Sequence, residues 1–137
     1  MIKTTSIGLL TFTILGAVNL FAGEVWPDYR GPKHDGHSDA KGLPLQWSDN
    51  KNVSWKTAIH GRGWSSPVVA DGEVWVTTAT PDGKKLSGLC VDANTGKIIW
   101  DKELFSILEP QFAHRFNSYA SPSPLIDGDK IYLSWGS

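Results

Sequence analysis

Disulfide chemistry has almost no place in this chain: Cys90 is the single cysteine among 137 residues, so no internal cross-link forms and stability has to come from burial. Charge of one sign is equally scarce. Lys and Arg number 13 against 14 Asp and Glu, for a formal net charge of −1. No block of like charges occurs, which argues against nucleic acid or an anionic membrane surface as a partner. Also missing are a Gly-x-Ser-x-Gly nucleophile turn, an adjacent pair of cysteines and an acidic cluster, so neither a serine-hydrolase triad nor a hard-cation site can be assembled from the sequence.

A long apolar run is found only at the amino terminus, where Lys3 precedes a stretch from Ser6 to Ala22 that ends in small residues. This is the pattern of a secretory signal peptide over residues 1–22, cut after Ala22 or Gly23. The run is broken by Thr and Gly and is shorter than the roughly 20 apolar residues of a membrane-spanning helix. No integral membrane segment is therefore expected after cleavage, and with no cysteine at the cut a lipid anchor is disfavoured. Loss of Lys3, the only charge in the leader, takes the net charge from −1 to −2. The expected location is periplasmic or secreted.

What the sequence has in quantity is tryptophan and glycine. Seven Trp stand at positions 26, 47, 55, 64, 75, 100 and 135, spread along the mature chain. Each can bury on the order of 200 Å², and their spacing points to a periodic structure rather than one aromatic site. Residues 23–51 are rich in Pro and Gly and read as an extended lead-in with turns, tacked down by its aromatics. Residues 52–59 alternate apolar and polar side chains and read as a strand. Strands are then expected over 64–70, 73–79, 85–91 and 97–102, separated by Asp71-Gly72, Pro81-Asp82-Gly83 and Asn94-Thr95-Gly96, which are turn sequences. Residues 103–119 differ in character and read as an inserted loop, with room for one helical turn around Pro110.

Residues 120–137 repeat the first hairpin. Without a gap, Ser66-Pro67-Val68-Val69 aligns with Ser123-Pro124-Leu125-Ile126, and Val74-Trp75-Val76 with Ile131-Tyr132-Leu133. Four-stranded units repeated at this spacing indicate an all-β fold of the β-propeller type, with antiparallel blades. About one and a half blades are present: blade 64–102, the start of the next at 120–137, and the strand 52–59. The second unit is unfinished at Ser137, so the expectation is an amino-terminal fragment of a longer protein.

Cys90 and Asp92-Ala93-Asn94-Thr95-Gly96-Lys97-Ile98-Ile99-Trp100 together resemble the tryptophan-docking motif of PQQ-like, quinoprotein-type propellers, whose usual form is Ala-x-Asp-x-x-Thr-Gly-Lys-x-x-Trp. Cys90 stands for the first Ala, a small-for-small change. The lead-in from Trp26 to Pro32 with Gly36-His37-Ser38, and the stretch Asn117-Ser118-Tyr119-Ala120-Ser121-Pro122, are similar to exported bacterial members of that family. The resemblance implies that Asp92 and Thr95 tie down the turn carrying Gly96 and Lys97, that the motif's own Trp100 stacks on a neighbouring blade's turn and supplies area between blades, and that Trp55 belongs to the outer strand of the closing blade.

Candidate site residues follow from where the loops fall. Arg62 and Trp64 precede the first inner strand; His114, Arg115, Asn117 and Tyr119 precede its repeat. In a propeller both loops open at one end of the channel, where polar and aromatic groups can make a ligand site; alternatively Trp64 and Tyr119 pack between blades and the arginines face water. His34 and His37 lie in a Gly-containing loop without a third ligand and read as a solvated turn. Cys90, between Leu89 and Val91 with no cation nearby, reads as a buried small residue. The leading expectation is a noncatalytic binding or scaffolding module, its partner an unknown protein or small-molecule ligand met at the channel mouth or by strand addition at a blade edge. The alternative is an oxidoreductase using PQQ and Ca²⁺, its catalytic residues beyond this fragment; a third reading is a sensor domain fused to another segment. Fold does not choose among them.

Overall fold

Asp71 and Gly72 both take positive φ, +52° and +77°, the two-residue turn whose twist matches antiparallel strands, and the main sheet grows from it. The computed structural model describes residues 25–136; the expected leader over residues 1–22 lies outside them. The described residues form an all-β structure without helices. Strands β1 (Val68–Ala70), β2 (Glu73–Ala79), β3 (Lys85–Asp92) and β4 (Ile98–Ser106) make a four-stranded antiparallel sheet in sequence order, and β5 (Leu125–Asp127) with β6 (Lys130–Tyr132) makes a second, two-stranded sheet.

The two hairpins share one register. Val68 pairs with Trp75 and Val69 with Val74 in the first; Leu125 pairs with Tyr132 and Ile126 with Ile131 in the second. The repeat is therefore structural as well as sequential. The turns differ in detail, because in the second hairpin only Gly128 has positive φ, +58°, and it occupies the position that Asp71 holds in the first.

Two expected strands are altered by local chemistry. Regular pairing of β1 begins only at Val68, not at Trp64, because Pro67 has no N–H to give to the ladder. Upstream of it the chain still runs beside β2. Arg62 and Ala79 exchange backbone bonds of 2.7 and 3.2 Å, and the Ser65 hydroxyl accepts from the Thr77 N–H at 3.3 Å. At the other side of the sheet, β4 does not stop at Lys102 but continues to Ser106, absorbing irregularities opposite Leu86/Ser87 and Cys90/Val91. Residues 103–106 are thus strand, and 107–119 contain no helical turn.

β3 is covered on both faces, which explains its near-continuous burial from Leu86 to Val91. One face presents Gly88 and Cys90. Trp75 and Trp100 are the ladder partners of Cys90 on either side, and their rings meet at 5.4 Å. Leu133 reaches the open space over Gly88. Trp135 donates to the Thr78 carbonyl at 3.2 Å and meets Phe105 edge-on, so the chain after β6 closes this face. Leu89, fully buried, belongs to the opposite face, where Asp101 is its partner on β4. There the chain from Trp55 to Arg62 lies across the sheet: His60 Nε2 meets both Asp101 carboxylate oxygens at 3.0 and 3.1 Å, and Thr78 Oγ1 donates to the His60 carbonyl at 2.5 Å.

Residues 52–59 are accordingly not a strand. Their alternation records the side chains that touch the sheet, Trp55 and Thr57, without any ladder. The Trp55 indole N–H donates to the Ala93 carbonyl at 2.8 Å, Thr57 Oγ1 donates to the Gly96 carbonyl, and the indole lies where a Cβ on Gly96 would stand, 2.6 Å from the nearest ring atom. Gly96 has φ +72°. Asp92 Oδ1 secures the same turn by accepting from Asn94 N–H at 3.1 Å, Thr95 N–H at 2.7 Å and Thr95 Oγ1 at 2.8 Å.

Two predictions follow from this turn. Gly96→Ala is expected to cost about 2–4 kcal/mol, from the positive φ together with overpacking against the indole, and in a Trp55→Ala background the loss should shrink toward the ~1 kcal/mol of backbone strain. Equal losses in both backgrounds, measured by denaturant unfolding, would show that the indole does not bear on the turn. The Thr95 hydroxyl, then the Thr95 N–H, hold the Asp92 carboxyl below its ordinary value. A depressed carboxyl stabilises the fold above the unfolded pKa, near 3.9, and loses that contribution as pH falls through the folded value. Asp92→Asn should flatten the acid limb of the Tm-against-pH profile below about pH 4; an unchanged limb would contradict the assignment.

Candidate functional site

The segments preceding β1 and β5 are laced together. Trp64 and Ser65 both donate backbone N–H to the Ala120 carbonyl at 3.0 Å, Ser118 Oγ donates to the Arg62 carbonyl at 2.8 Å, and the Ser66 N–H reaches Ser123 Oγ, its own repeat equivalent, at 2.9 Å. Gly61 and Gly63 let the first of these segments lie close against β2, since a Cβ on either would stand 2.5 Å from a β2 carbonyl. The lead-in crosses nearby. Trp26 exchanges backbone bonds of 2.7 and 2.8 Å with Val69, and the Ile126 N–H donates to the Pro27 carbonyl at 2.8 Å, so two consecutive lead-in residues bridge equivalent positions of β1 and β5. Of the lead-in aromatics only Trp26 is tacked down, against Gly31; Tyr29 and Trp47 are about two-thirds exposed, at 68% and 67%.

Where these segments meet lies a cavity of about 140 Å³ bounded by Arg62, Thr80, Pro81, Ala113, His114, Arg115, Asn117, Ser118 and Tyr119. Five of the six mouth residues expected from the sequence, Arg62, His114, Arg115, Asn117 and Tyr119, are brought together there. Trp64 is not in the wall; it stands half-exposed beneath the Arg62 guanidinium, 5.3 Å from it. The Arg115 guanidinium lies 4.6 Å over the Phe116 ring, and His114 packs on the same ring at 5.2 Å. Thr80, Pro81, Ala113 and Ser118 are the walls that sequence reasoning missed. Ser118 carried a legible signal, as a Ser in the quoted Asn117–Pro122 stretch; Thr80 and Pro81 reach the cavity from the β2–β3 turn, which sequence order does not reveal.

Tyr119 divides this cavity from a second one of about 260 Å³, lined by Leu86, Ile107, Pro110, Gln111 and Trp135 among others. Its ring lies against Gly83, which has φ +73°, and its hydroxyl donates to the Gln111 carbonyl at 2.6 Å.

Other expected residues lie elsewhere. Cys90, Asp92, Thr95, Gly96, Lys97 and Trp100 are on the sheet and its β3–β4 turn, remote in role from the cavity. Trp100 covers its own sheet beside Trp75, and it also borders the space that Leu133 fills over Gly88. His34 pairs with Asp28 and His37 with Asp35, both on the surface. Among the described residues no group of three or more His, Cys, Asp or Glu side chains could hold a metal ion. The exposed edge of the sheet is β4, where apolar Ile99 and Phe105 flank the charged run Asp101-Lys102-Glu103 and bulges blunt the strand for pairing.

No helix among the described residues is long and apolar enough to cross a membrane. Comparison of the chain with protein-family models, curated proteins and solved structures finds no match in any of the three.

Cys90 is 1% exposed, and its thiol is pushed up to about 12, first by burial and then by the Glu73 carboxylate that also accepts from the Trp75 indole. Since the thiolate is the reactive species, the native protein at pH 8 should leave a thiol-disulfide exchange reagent unconsumed and react stoichiometrically once unfolded in guanidinium. Rapid labelling of the native state would place Cys90 outside the core.

Proposed function

We propose that this chain belongs to an exported PQQ-like β-propeller that serves as a noncatalytic binding module, receiving its ligand in the cavity between the segments that precede β1 and β5. The observation that carries the reading is the convergence of Arg62 with His114, Arg115, Asn117 and Tyr119 at one cavity, formed where two repeats of identical register lie side by side. In a propeller, loops before successive inner strands line one mouth of the channel, and convergent polar groups in a concavity are the usual form of a small-molecule site. The Gly96 turn with Trp55 seated on it supports the family assignment, and the sheet between two covering layers supports its role as a blade. Of the hydroxyls in the cavity wall, Ser118 Oγ donates to the Arg62 carbonyl and accepts from the Ala120 N–H, Tyr119 donates to the Gln111 carbonyl, and Thr80 donates to the Asp82 carboxylate. Hydroxyls engaged with the protein in this way support a binding role.

The experiment is an NMR screen of the protein against small neutral, anionic and cationic compounds. Shifts confined to residues 60–65 and 113–119, with the compounds recovered unchanged, are expected. Conversion of a compound, or saturable shifts only at other surfaces, would overturn the reading.

A further inference from the structure

The cavity between the two repeats contains cationic donors and no anionic partner. Arg62 and Arg115 are permanently charged, and among the described residues neither forms an ion pair with a carboxylate. The Arg62 guanidinium makes one long contact, 3.5 Å, to the Arg115 carbonyl. Asn117 Oδ1 accepts from the Ser121 hydroxyl, an arrangement that leaves its amide N–H groups as donors. His114 Nδ1 accepts from the Phe116 N–H at 3.3 Å, so the tautomer consistent with that bond carries its hydrogen on Nε2. The acid nearest in sequence to the wall residues Thr80 and Pro81 is Asp82, and its carboxylate is committed to the Thr80 hydroxyl at 2.5 Å and the Lys84 N–H at 3.1 Å.

From this set of donors we infer that the cavity is a receptor for an oxyanion, a carboxylate or phosphate group carried by a small molecule. The inference rests on the reading of this mouth as a ligand site and adds the chemical class. Size agrees: about 140 Å³ is the volume of about four to five waters, enough for one such group with part of its carrier. Orientation agrees as well. Guanidinium forks match the geometry of carboxylate and phosphate oxygens, and each fork here is seated on an aromatic ring, Trp64 under Arg62 and Phe116 under Arg115. A seated fork has less freedom to lose when the anion arrives. The two charges also come from different repeats, which places the anion at the junction and makes it a bridge between the two sheets.

The test titrates the full chain with sodium phosphate, sodium sulfate and sodium acetate, against sodium chloride at matched ionic strength, reading the Arg Nε–Hε and Asn side-chain amide signals by NMR. Saturable shifts at Arg62, Arg115 and Asn117 are expected. Arg115→Gln should weaken binding about tenfold or more and Arg115→Lys less, since a charged pair is replaced by a neutral or a single-point contact. Arg30→Gln, on the lead-in surface, should change nothing. Stronger saturation by phosphate or sulfate than by acetate assigns a tetrahedral anion, and the reverse a carboxylate. Shifts that track ionic strength without saturating, or equal affinity in Arg115→Gln, overturn the proposal. Should a neutral compound bind these loops while no oxyanion does, the anion assignment falls and the binding-module reading stands.

Discussion

Burial of β3 on both faces is the constraint from which the arrangement of the remaining chain follows. A strand whose residues from Leu86 to Val91 are all inside needs cover above and below its sheet, and a sheet of four strands cannot supply that cover itself. The chain provides it from both directions in sequence. Residues 55–62 come before the sheet and lie on the face of Leu89 and Asp101; Leu133 and Trp135 come after it and lie on the face of Gly88 and Cys90. The polar groups trapped by this layering are satisfied locally. Thr78 Oγ1 takes the His60 carbonyl and Trp135 takes the Thr78 carbonyl, so the covering layers are held by hydrogen bonds as well as by apolar contact.

The means of contact is repeated throughout: a large ring is set against a residue with little or no side chain. Trp55 meets Gly96, Trp26 meets Gly31, Tyr119 meets Gly83, and Trp100 borders Gly88. Two indoles converge beside Cys90, where a bulkier residue would hold them apart. Flat aromatic area laid on bare backbone removes much surface from water with few rotors to order. This suits a chain that has no disulfide. It also explains why Trp26, Trp55 and Trp100 each stand against a glycine, at Gly31, Gly96 and Gly88.

The hairpins were legible because their information is local. Asp71-Gly72 specifies a turn, and the gapless match of 66–76 with 123–133 specifies a shared register, which the structure has. The bounds of β1 and β4 were less legible, since Pro67 truncates one ladder, and bulges opposite Leu86/Ser87 and Cys90/Val91 carry the other through a stretch where apolar alternation fails at Leu104-Phe105. Residues 52–59 show the limit of periodicity as a signal. Alternation reports which side chains face a packed surface; it does not report whether the backbone is hydrogen-bonded to it, and Trp55 and Thr57 face the sheet without joining it. The cavity was half legible. Its arginines, histidine, asparagine and tyrosine sit at positions fixed by the repeat, whereas Thr80 and Pro81 enter it only through the fold of the β2–β3 turn.

Site and fold are coupled through the same few bonds. The Ser118 hydroxyl on the Arg62 carbonyl and the Ala120 carbonyl shared by Trp64 and Ser65 join the segment before the first repeat to that before the second. They also set the separation of Arg62 from Arg115. Two like charges brought together in this way repel, and their repulsion acts against the bonds that hold the repeats side by side. An anion between them reverses that sign, so the charge pattern that favours a ligand is also one that makes the junction tighter when it is occupied. Because the rings beneath the arginines belong one to each segment, Trp64 to the first and Phe116 to the second, the geometry that receives the anion and the geometry that aligns the sheets are a single set of contacts.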